Sequence, residues 1–443
     1  MVDLLDFGGK YLYLRTLYDS NINHEYLGQV AYYTSTISLG ILTLFLTLIL
    51  LSPFGRNTPI IPTGCRKYGC KSKQSLLLTK PSSSQASSNN EPTVQSLWLY
   101  PIKSCAGIEL DEAEIIDTGI KYDRQFSFAQ LHSPFPLSVG DSKESKSAHQ
   151  WRFITQREFP LLSQVRTELW LPDPSARNYS PDAPYVKTGG AIAVYFPYEE
   201  DGLISTFRSF ISCLRGSRGM EKSFLIPYAP TSDQQTNYTI EPFKIWKDTP
   251  LALNMGTHLP PELKYFLGVR NPFTVFRVHT TAAKRQLFRN APRKEELGWQ
   301  PIVGFADAYP VNLLGMASLH ALSQMQPLVS KELSFHRFRA NIAVTNSEPF
   351  EEETWKMVRI GSEMYHVCCR CVRCGIPNID PNTGVKDRQE PYRTLVAKRN
   401  IDLGAPMFGC LAVQLVPVRP EGVVRVGDQI EVLGRGEHVY EPM

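Results

Sequence analysis

The sequence is short of the features that would place it in several large classes. Cysteine is scarce: nine residues in 443, an odd number. That excludes a disulfide-stapled scaffold and makes a reducing compartment the expected setting. An excess of one charge is missing too. Lys and Arg number 47 against 43 Asp and Glu, a net charge of +4, too little over this length to point to nucleic acid as a partner. No internal repeat occurs. Neither a dinucleotide fingerprint nor a four-cysteine ferredoxin spacing is found, so any redox function is expected to draw electrons from partner proteins. Hydrophobic residues at 42% and charged residues at 20% exclude a chain disordered throughout. At roughly 100–200 residues per domain, the length allows two to four domains.

Long apolar runs are also lacking, with one exception. Val30–Leu51 carries no charge, and Ile37–Leu51 is almost wholly aliphatic. About 20 apolar residues span a bilayer as a helix, so residues 30–52 are expected to be a transmembrane anchor after a short tail, residues 1–29. A buried helix and a cleaved signal peptide are the alternatives. Against the latter, the run starts late, the tail before it is acidic, and no clear small-x-small site follows. The tail has Lys10 and Arg15 against Asp3, Asp6, Asp19 and Glu25. Residues 52–80 have Arg56, Arg66, Lys67, Lys71, Lys73 and Lys80 and no acid. The positive-inside rule then puts everything after the anchor in the cytosol. Residues 53–93, basic and then rich in Ser, Asn and Pro, are expected to be a flexible linker, with the folded part starting near Val94.

From Val94 the pattern is one of many short strands. VQSLWL, the stretches around Gly119, WRFITQ, VRTELWL, IAVTN, MVRIG, EMYHVCC, LAVQLVPV and DQIEVL all fit a half-buried sheet. Helical spacing is confined to residues 202–214 and 312–325. Residues 132–150 and 172–189 have the composition of surface loops. The predicted fold class is mainly β with some helices (α+β), of β-barrel type.

The densest chemistry is His366-Val-Cys368-Cys369-Arg370-Cys371-Val-Arg373-Cys374. Cys371-x-x-Cys374 has zinc-ligand spacing, but no second pair follows, and residues close together on a strand face opposite ways. A thioredoxin-type pair would have to open a helix, which Gly375, Pro377 and Pro381 oppose. The other reading is a single thiolate ligating a soft metal centre beside Arg370 and Arg373, whose guanidinium groups favour the thiolate and can bind anions.

Several blocks carry a family resemblance. Leu99-Tyr-Pro-Ile-Lys-Ser-Cys-Ala-Gly107, Gly119, Asp123-Arg124 and Thr155-Gln-Arg-Glu-Phe-Pro160 resemble the MOSC N-terminal β-barrel domain. Phe305-Ala-Asp-Ala-Tyr-Pro310, Ala317-Ser-Leu319, Phe338-Arg-Ala-Asn-Ile342, Arg373-Cys374, Asp380-Pro-Asn-Thr-Gly384, Phe408-Gly409 and Val426-Gly-Asp428 resemble the MOSC domain. The blocks are in order from about Val94 to Leu433. The type resembled is the mitochondrial amidoxime-reducing components. The resemblance implies an N-terminal barrel domain over 94–245 and a MOSC β-barrel over 275–434, with a poorly matching, longer stretch from about 215 to 300.

It also implies molybdenum cofactor, a pterin dithiolene with a phosphate tail. Cys374 matches the metal ligand and Asp307 an active-site carboxylate. Lys103, Ser104, Arg124, Arg339, Asn341 and Arg373 match cofactor-contacting positions. The implied activity is reduction of N-hydroxylated small molecules with electrons from cytochrome b5 and its NADH-dependent reductase. The implied setting is a single-pass, cytosol-facing membrane protein, with the mitochondrial outer membrane foremost. The alternative is a non-reductase carrier of molybdenum cofactor or sulfur, related to the C-terminal part of molybdenum cofactor sulfurase, whose large lyase domain residues 1–93 cannot hold. Two departures stand near the expected metal: Ala308-Tyr309 replaces small hydroxyl residues after Asp307, and Gly375-Ile-Pro-Asn378 replaces a Thr-rich run after Cys374. Cys368, Cys369 and Cys371 have no implied role.

Overall fold

The computed structural model describes residues 26–45, 47, 60–72, 74–78, 91–133, 149–176, 178–198, 202, 220–231, 237–279, 285–327 and 332–442. The chain divides into two units, residues 1–58 with 199–221, and residues 59–198 with 222–443. In the first, residues 26–45 are helical. Among the described residues no helix is long and apolar enough to cross a membrane. Most of the aliphatic end of the expected anchor, residues 46 and 48–51, lies outside the described residues, as do the expected helix over 203–214, most of the polar insertion (134–148) and the Ser-rich part of the linker (79–90).

The second unit is mainly β. Its largest sheet has eight strands in the order Ile430–Arg435 (β22), Trp355–Ile360 (β18), Glu363–Arg373 (β19), Gly409–Pro417 (β20), Val311–Gly315 (β16), Ile342–Thr345 (β17), Thr93–Leu99 (β2) and Ile108–Leu110 (β3). A closed barrel of five strands is formed by Thr239–Lys244 (β11), Leu251–Asn254 (β12), Phe273–Val278 (β13), Phe126–His132 (β6) and Gln150–Phe153 (β7). A four-stranded sheet joins Cys65–Tyr68 (β1), Arg166–Pro172 (β8), Ala191–Pro197 (β9) and Glu221–Pro227 (β10). Small ladders pair Val423–Arg425 (β21), Glu112–Ile116 (β4) and Gly119–Ile120 (β5), and Arg285–Gln286 (β14) with Ile302–Val303 (β15).

The predicted mainly-β class is therefore observed, with a different division of strands. The closed barrel takes β11, β12 and β13 from the poorly matching stretch and β6 and β7 from the N-terminal blocks. The large sheet is a half-barrel: its ladder ends at β22 and β3, yet the start of β2 is bridged to the segment entering β22 (Thr93↔Gln429, antiparallel). The first strand of the N-terminal blocks, β2, lies in it antiparallel to β17 (Ile342↔Leu97). Ordered structure also begins before Val94. β1 adds to β8 antiparallel, Cys65 opposite Pro172, because Cys65 has a core to enter and is buried. The helix expected over 312–325 runs only over Met316–Gln324. Val311–Gly315 is instead a fully buried strand, since a short, mostly apolar run suits the middle of a sheet as well as a helix. Its one polar side chain, Asn312, donates to Val413 O (3.1 Å).

The thiols of β19 separate because the strand is bulged between Val367 and Cys369 and again between Arg370 and Val372. A bulge inserts an extra residue and resets the alternation. Cys368 and Cys369 pack with Leu287, Val303, Ala306, Tyr309 and Val416. Cys371 packs in another cluster with Trp98, Tyr100, Leu395 and Leu411. Gly119 is required where it stands. Its φ is +98°, and a Cβ there would meet the carbonyl of Pro310, so the β4–β5 turn can seat against the segment that carries Asp307 only without a side chain.

Candidate functional site

The site gathers at segments that follow strands. After β2 the chain turns through Pro101 to Ser104, where φ is 69°. The Lys103 amide donates to Phe126 O (2.8 Å), and its ammonium turns inward, 5.5 Å from the Phe153 ring centre. Lys103 Nζ donates to Phe305 O (2.9 Å) and pairs with the Asp307 carboxylate. Burial pushes the lysine pKa down to about 8, with Asp307 working the other way. Asp307 is held well below the usual carboxylate range: its own desolvation opposes ionisation and is outweighed by Lys103, Arg157 and Arg124. Arg285 fixes the backbone of this segment, donating to Ala306 O (2.6 Å) and Asp307 O (3.3 Å) while paired with Asp248 (2.7 Å).

A second group is built on Tyr100. Arg124 and Arg339, both in left-handed backbone (φ 48° and 54°), place their guanidinium groups 4.8 and 4.4 Å from the ring centre. Arg124 pairs with Asp123, and donates to Asn341 Oδ1 (3.1 Å) and Arg339 O (2.9 Å). Arg339 Nη1 donates to Cys105 O (2.6 Å), whereas its Nη2 is buried with no partner among the described residues. Burial pushes the Arg339 pKa down, and the neighbouring Arg124 adds to this. Two cations thus share one aromatic ring and one nearby carboxylate, and a buried donor is left over. A buried unmade hydrogen bond costs about 1–3 kcal/mol, a cost that an anion bound here would remove.

Asn341 and Arg373 are the floor of this group. Asn341 Nδ2 donates to Trp98 O (3.1 Å), and its Oδ1 accepts from the Asn312 amide (3.2 Å) as well as from Arg124. Arg373 donates to Leu411 O (2.8 Å), Phe338 O (2.9 Å) and Asn312 Oδ1 (3.3 Å). Ser104 is buried and joined to the barrel side by Gln156 Nε2, which donates to its carbonyl (2.7 Å).

Cys374 stands one residue past β19 and, unlike the three clustered thiols before it, is only half-buried. Arg157 Nη2 donates to its Sγ (2.9 Å). Arg157 lies 4.9 Å from the Trp246 ring centre, and Trp246 Nε1 donates to Asp307 Oδ1 (3.2 Å). The contacts therefore run unbroken from Cys374 through Arg157 and Trp246 to Asp307 and Lys103. Barrel closure explains the meeting. β7 and β11 pair in parallel, Lys244 with Arg152, so the segments that follow them, with Arg157 and Trp246, leave the barrel at the same end. Gln164 Nε2, donating to Asn382 O (3.0 Å), ties the Arg157 segment to the turn after Cys374.

Cys368, Cys369 and Cys371 are buried thiols whose pKa values are raised by burial, that of Cys368 to about 12. Among the described residues no three or more His, Cys, Asp or Glu gather as a metal-ligand group. Tyr309 turns away from Asp307 into the apolar cluster and donates to Arg289 O (2.8 Å). Asn378 is spent on local bonds, to Asp387 O (3.2 Å) and from the Tyr392 amide (2.9 Å). Sequence reasoning missed Arg157, Trp246 and Arg285. Arg157 lay inside a quoted block without any signal for where its side chain goes. Trp246 and Arg285 lay in the stretch that resembled nothing.

Fold and site define a MOSC-domain protein. Residues 300–431 match the MOSC domain and residues 91–184 the MOSC N-terminal beta barrel domain. Mitochondrial amidoxime reducing component 2 of Rattus norvegicus is 34% identical over 345 residues, 76% of this chain and 82% of the relative. Mitochondrial amidoxime-reducing component 1 of Xenopus laevis is 31% identical over 354 residues, covering 76% and 81%, and that of Mus musculus 24% identical over 347 residues, covering 77% and 83%. The chain belongs to the family of the mitochondrial amidoxime-reducing components, a reductase family related to molybdenum cofactor.

Proposed function

We propose that this protein binds molybdenum cofactor and reduces N-hydroxylated small molecules. The observation that carries the reading is the half-buried thiol of Cys374 with a guanidinium fixed on its sulfur, beside a cationic group that retains a buried donor on Arg339 without a partner among the described residues. A soft thiolate suits molybdenum. Arg339 and Arg124 suit the phosphate end, where arginine makes charge-assisted bonds, while Lys103 and Ser104 line the adjoining segment on the Asp307 side. Asn341 and Arg373 hold the floor and the end of β19, and so fix where Cys374 presents its sulfur.

When bound, the molybdenum centre supplies the two electrons that break the N–O bond. The oxygen leaves as water with two protons, and an amidoxime becomes an amidine. Asp307, ionised and half-exposed, accepts an N–H or O–H of the substrate and orients it. Lys103 holds that carboxylate in place from beneath. Electrons come from a haem protein of the cytochrome b5 type and its NADH-dependent reductase. Full-length, cofactor-loaded protein with these two donors is expected to convert benzamidoxime to benzamidine with stoichiometric NADH use. A fully molybdenum-loaded sample that reduces no N-hydroxylated compound would instead support a carrier role.

We further propose that residues 30–51 anchor the protein in a mitochondrial membrane, with the remainder facing the cytosol. The basic excess over residues 52–80 and the mitochondrial names of the relatives support this. Asn178-Tyr-Ser and Asn237-Tyr-Thr are glycosylation sequons that are expected to stay unmodified in cells. A glycosidase-sensitive mass shift at either one overturns the topology.

A further inference from the structure

Trp246 is an outlier in three respects. It occupies the first position of a two-residue turn, since Ile245 and Asp248 exchange backbone hydrogen bonds (both 3.0 Å). Its φ is 52°, in the left-handed region that such turns normally fill with Gly, Asn or Asp and that is strained for a bulky residue. It is also 43% exposed, so core packing does not offset that cost. Strain retained without burial is the pattern found at functional sites.

Three side chains hold the indole. Its Nε1 donates to Asp307 Oδ1, Arg157 lies against it, and Phe153 meets it edge-on at 5.0 Å between ring centres. The turn itself is fixed by the Arg285–Asp248 pair. The ring is thus oriented by the carboxylate and by the guanidinium that bonds Cys374, while much of its surface stays open. Trp246 falls between residues 184 and 300, outside both matched segments.

We propose that Trp246 is a specificity-determining residue, a wall on which the flat, π-rich group of an N-hydroxylated substrate stacks while Asp307 takes its N–H. The substrate class preferred is aryl amidoximes over small non-aromatic hydroxylamines. This rests on the reductase reading above. An aromatic pair contributes beyond its buried area, and the selectivity at stake is up to about tenfold.

The test uses full-length, cofactor-loaded protein with two substrates, benzamidoxime and hydroxylamine, and three variants. Trp246→Phe keeps a ring and loses the N–H. Trp246→Leu keeps apolar bulk and loses the π face. Trp246→Asn suits the turn and removes the wall. The ratio of kcat/KM for benzamidoxime to that for hydroxylamine is expected to fall about tenfold in the Leu and Asn variants and less than threefold in Phe. A positioning role through Asp307 alone would move both substrates together and leave the ratio within twofold, which overturns the proposal. Calorimetric binding of benzamidine, which needs no turnover, is expected to weaken about tenfold in Leu and Asn. If the wild type reduces neither substrate yet binds benzamidine in a Trp246-dependent manner, the reductase reading fails and the wall stands. If benzamidine binding is absent or indifferent to Trp246, the wall falls.

Discussion

Cys374→Ser is expected to abolish reductase activity while Cys368→Ala, Cys369→Ala and Cys371→Ala each keep most of it. Serine offers a hard oxygen that is seldom deprotonated at neutral pH, a poor match for a soft metal. The loss should exceed the roughly 10- to 100-fold that changes in a metal's outer shell produce. The other three thiols are packed in apolar clusters on either side of a twice-bulged strand. Removing one sulfur there leaves a small void, costing stability of about 1 kcal/mol or somewhat more, not chemistry. Alanine is the better probe at these positions than serine, because a buried hydroxyl without a partner adds its own cost. Cys371 is the sharpest control: it lies three residues from Cys374 and its Sγ accepts a bond from Gln414 Nε2 (3.1 Å). Turnover, molybdenum content and thermal midpoint across the four variants decide the matter. Equal loss of activity at Cys371 and Cys374, with zinc in the wild type, would defeat the assignment.

How much of this was legible in the sequence depends on how local each signal is. β2, β17, β18, β20 and β22 each carry their own alternation or apolar run, and the quoted blocks around Lys103, Arg124, Asp307, Arg339 and Cys374 mark the segments that the fold brings together. β11, β12 and β13 are less readable. β11 and β12 are part-exposed, and β11 contains a proline, while β13 is buried but lies in a stretch without other signals. What makes them a barrel is closure, above all the parallel pairing of β11 with β7 across some 90 residues of chain. Nothing near residue 246 announces that pairing, so neither the barrel nor the contact between Trp246 and Arg157 could be read beforehand. β1 is hidden for the same reason, since four residues count as a strand only once β8 is beside them.

The same distinction separates arginines that the sequence treats alike. Arg373 and Arg339 both stand in blocks with cofactor-contacting residues, yet Arg373 spends its donors on Leu411, Phe338 and Asn312, whereas Arg339 keeps one nitrogen unpaired. Spacing cannot show this. It depends on which carbonyls the fold brings within reach.

Arg339→Ala is expected to release the cofactor's phosphate end with little harm to the fold. Among the described residues its side chain makes one hydrogen bond, to the neutral acceptor Cys105 O, besides its stacking on Tyr100. Losing a charge-assisted bond to an anion should weaken pterin retention by about 1.5–3 kcal/mol, roughly 10- to 100-fold. Arg124→Ala is a harsher change. It strips the ion-pair partner from Asp123, whose side chain is 2% exposed and which among the described residues keeps only the Tyr100 amide (2.8 Å), and breaking a buried ion pair costs about 3–5 kcal/mol. The two substitutions should therefore part: Arg339→Ala loses pterin at a near-native urea midpoint, and Arg124→Ala loses both. Arg124→Lys, which keeps a charge near Asp123 but not the fork that reaches Asn341 and the Arg339 carbonyl, should fall between them. Inorganic phosphate gives a check that needs no cofactor. It should raise the thermal midpoint of the cofactor-free wild type and not that of Arg339→Ala. Pterin content unchanged in Arg339→Ala, with no phosphate-dependent shift in the wild type, would remove this cationic pair from the cofactor site.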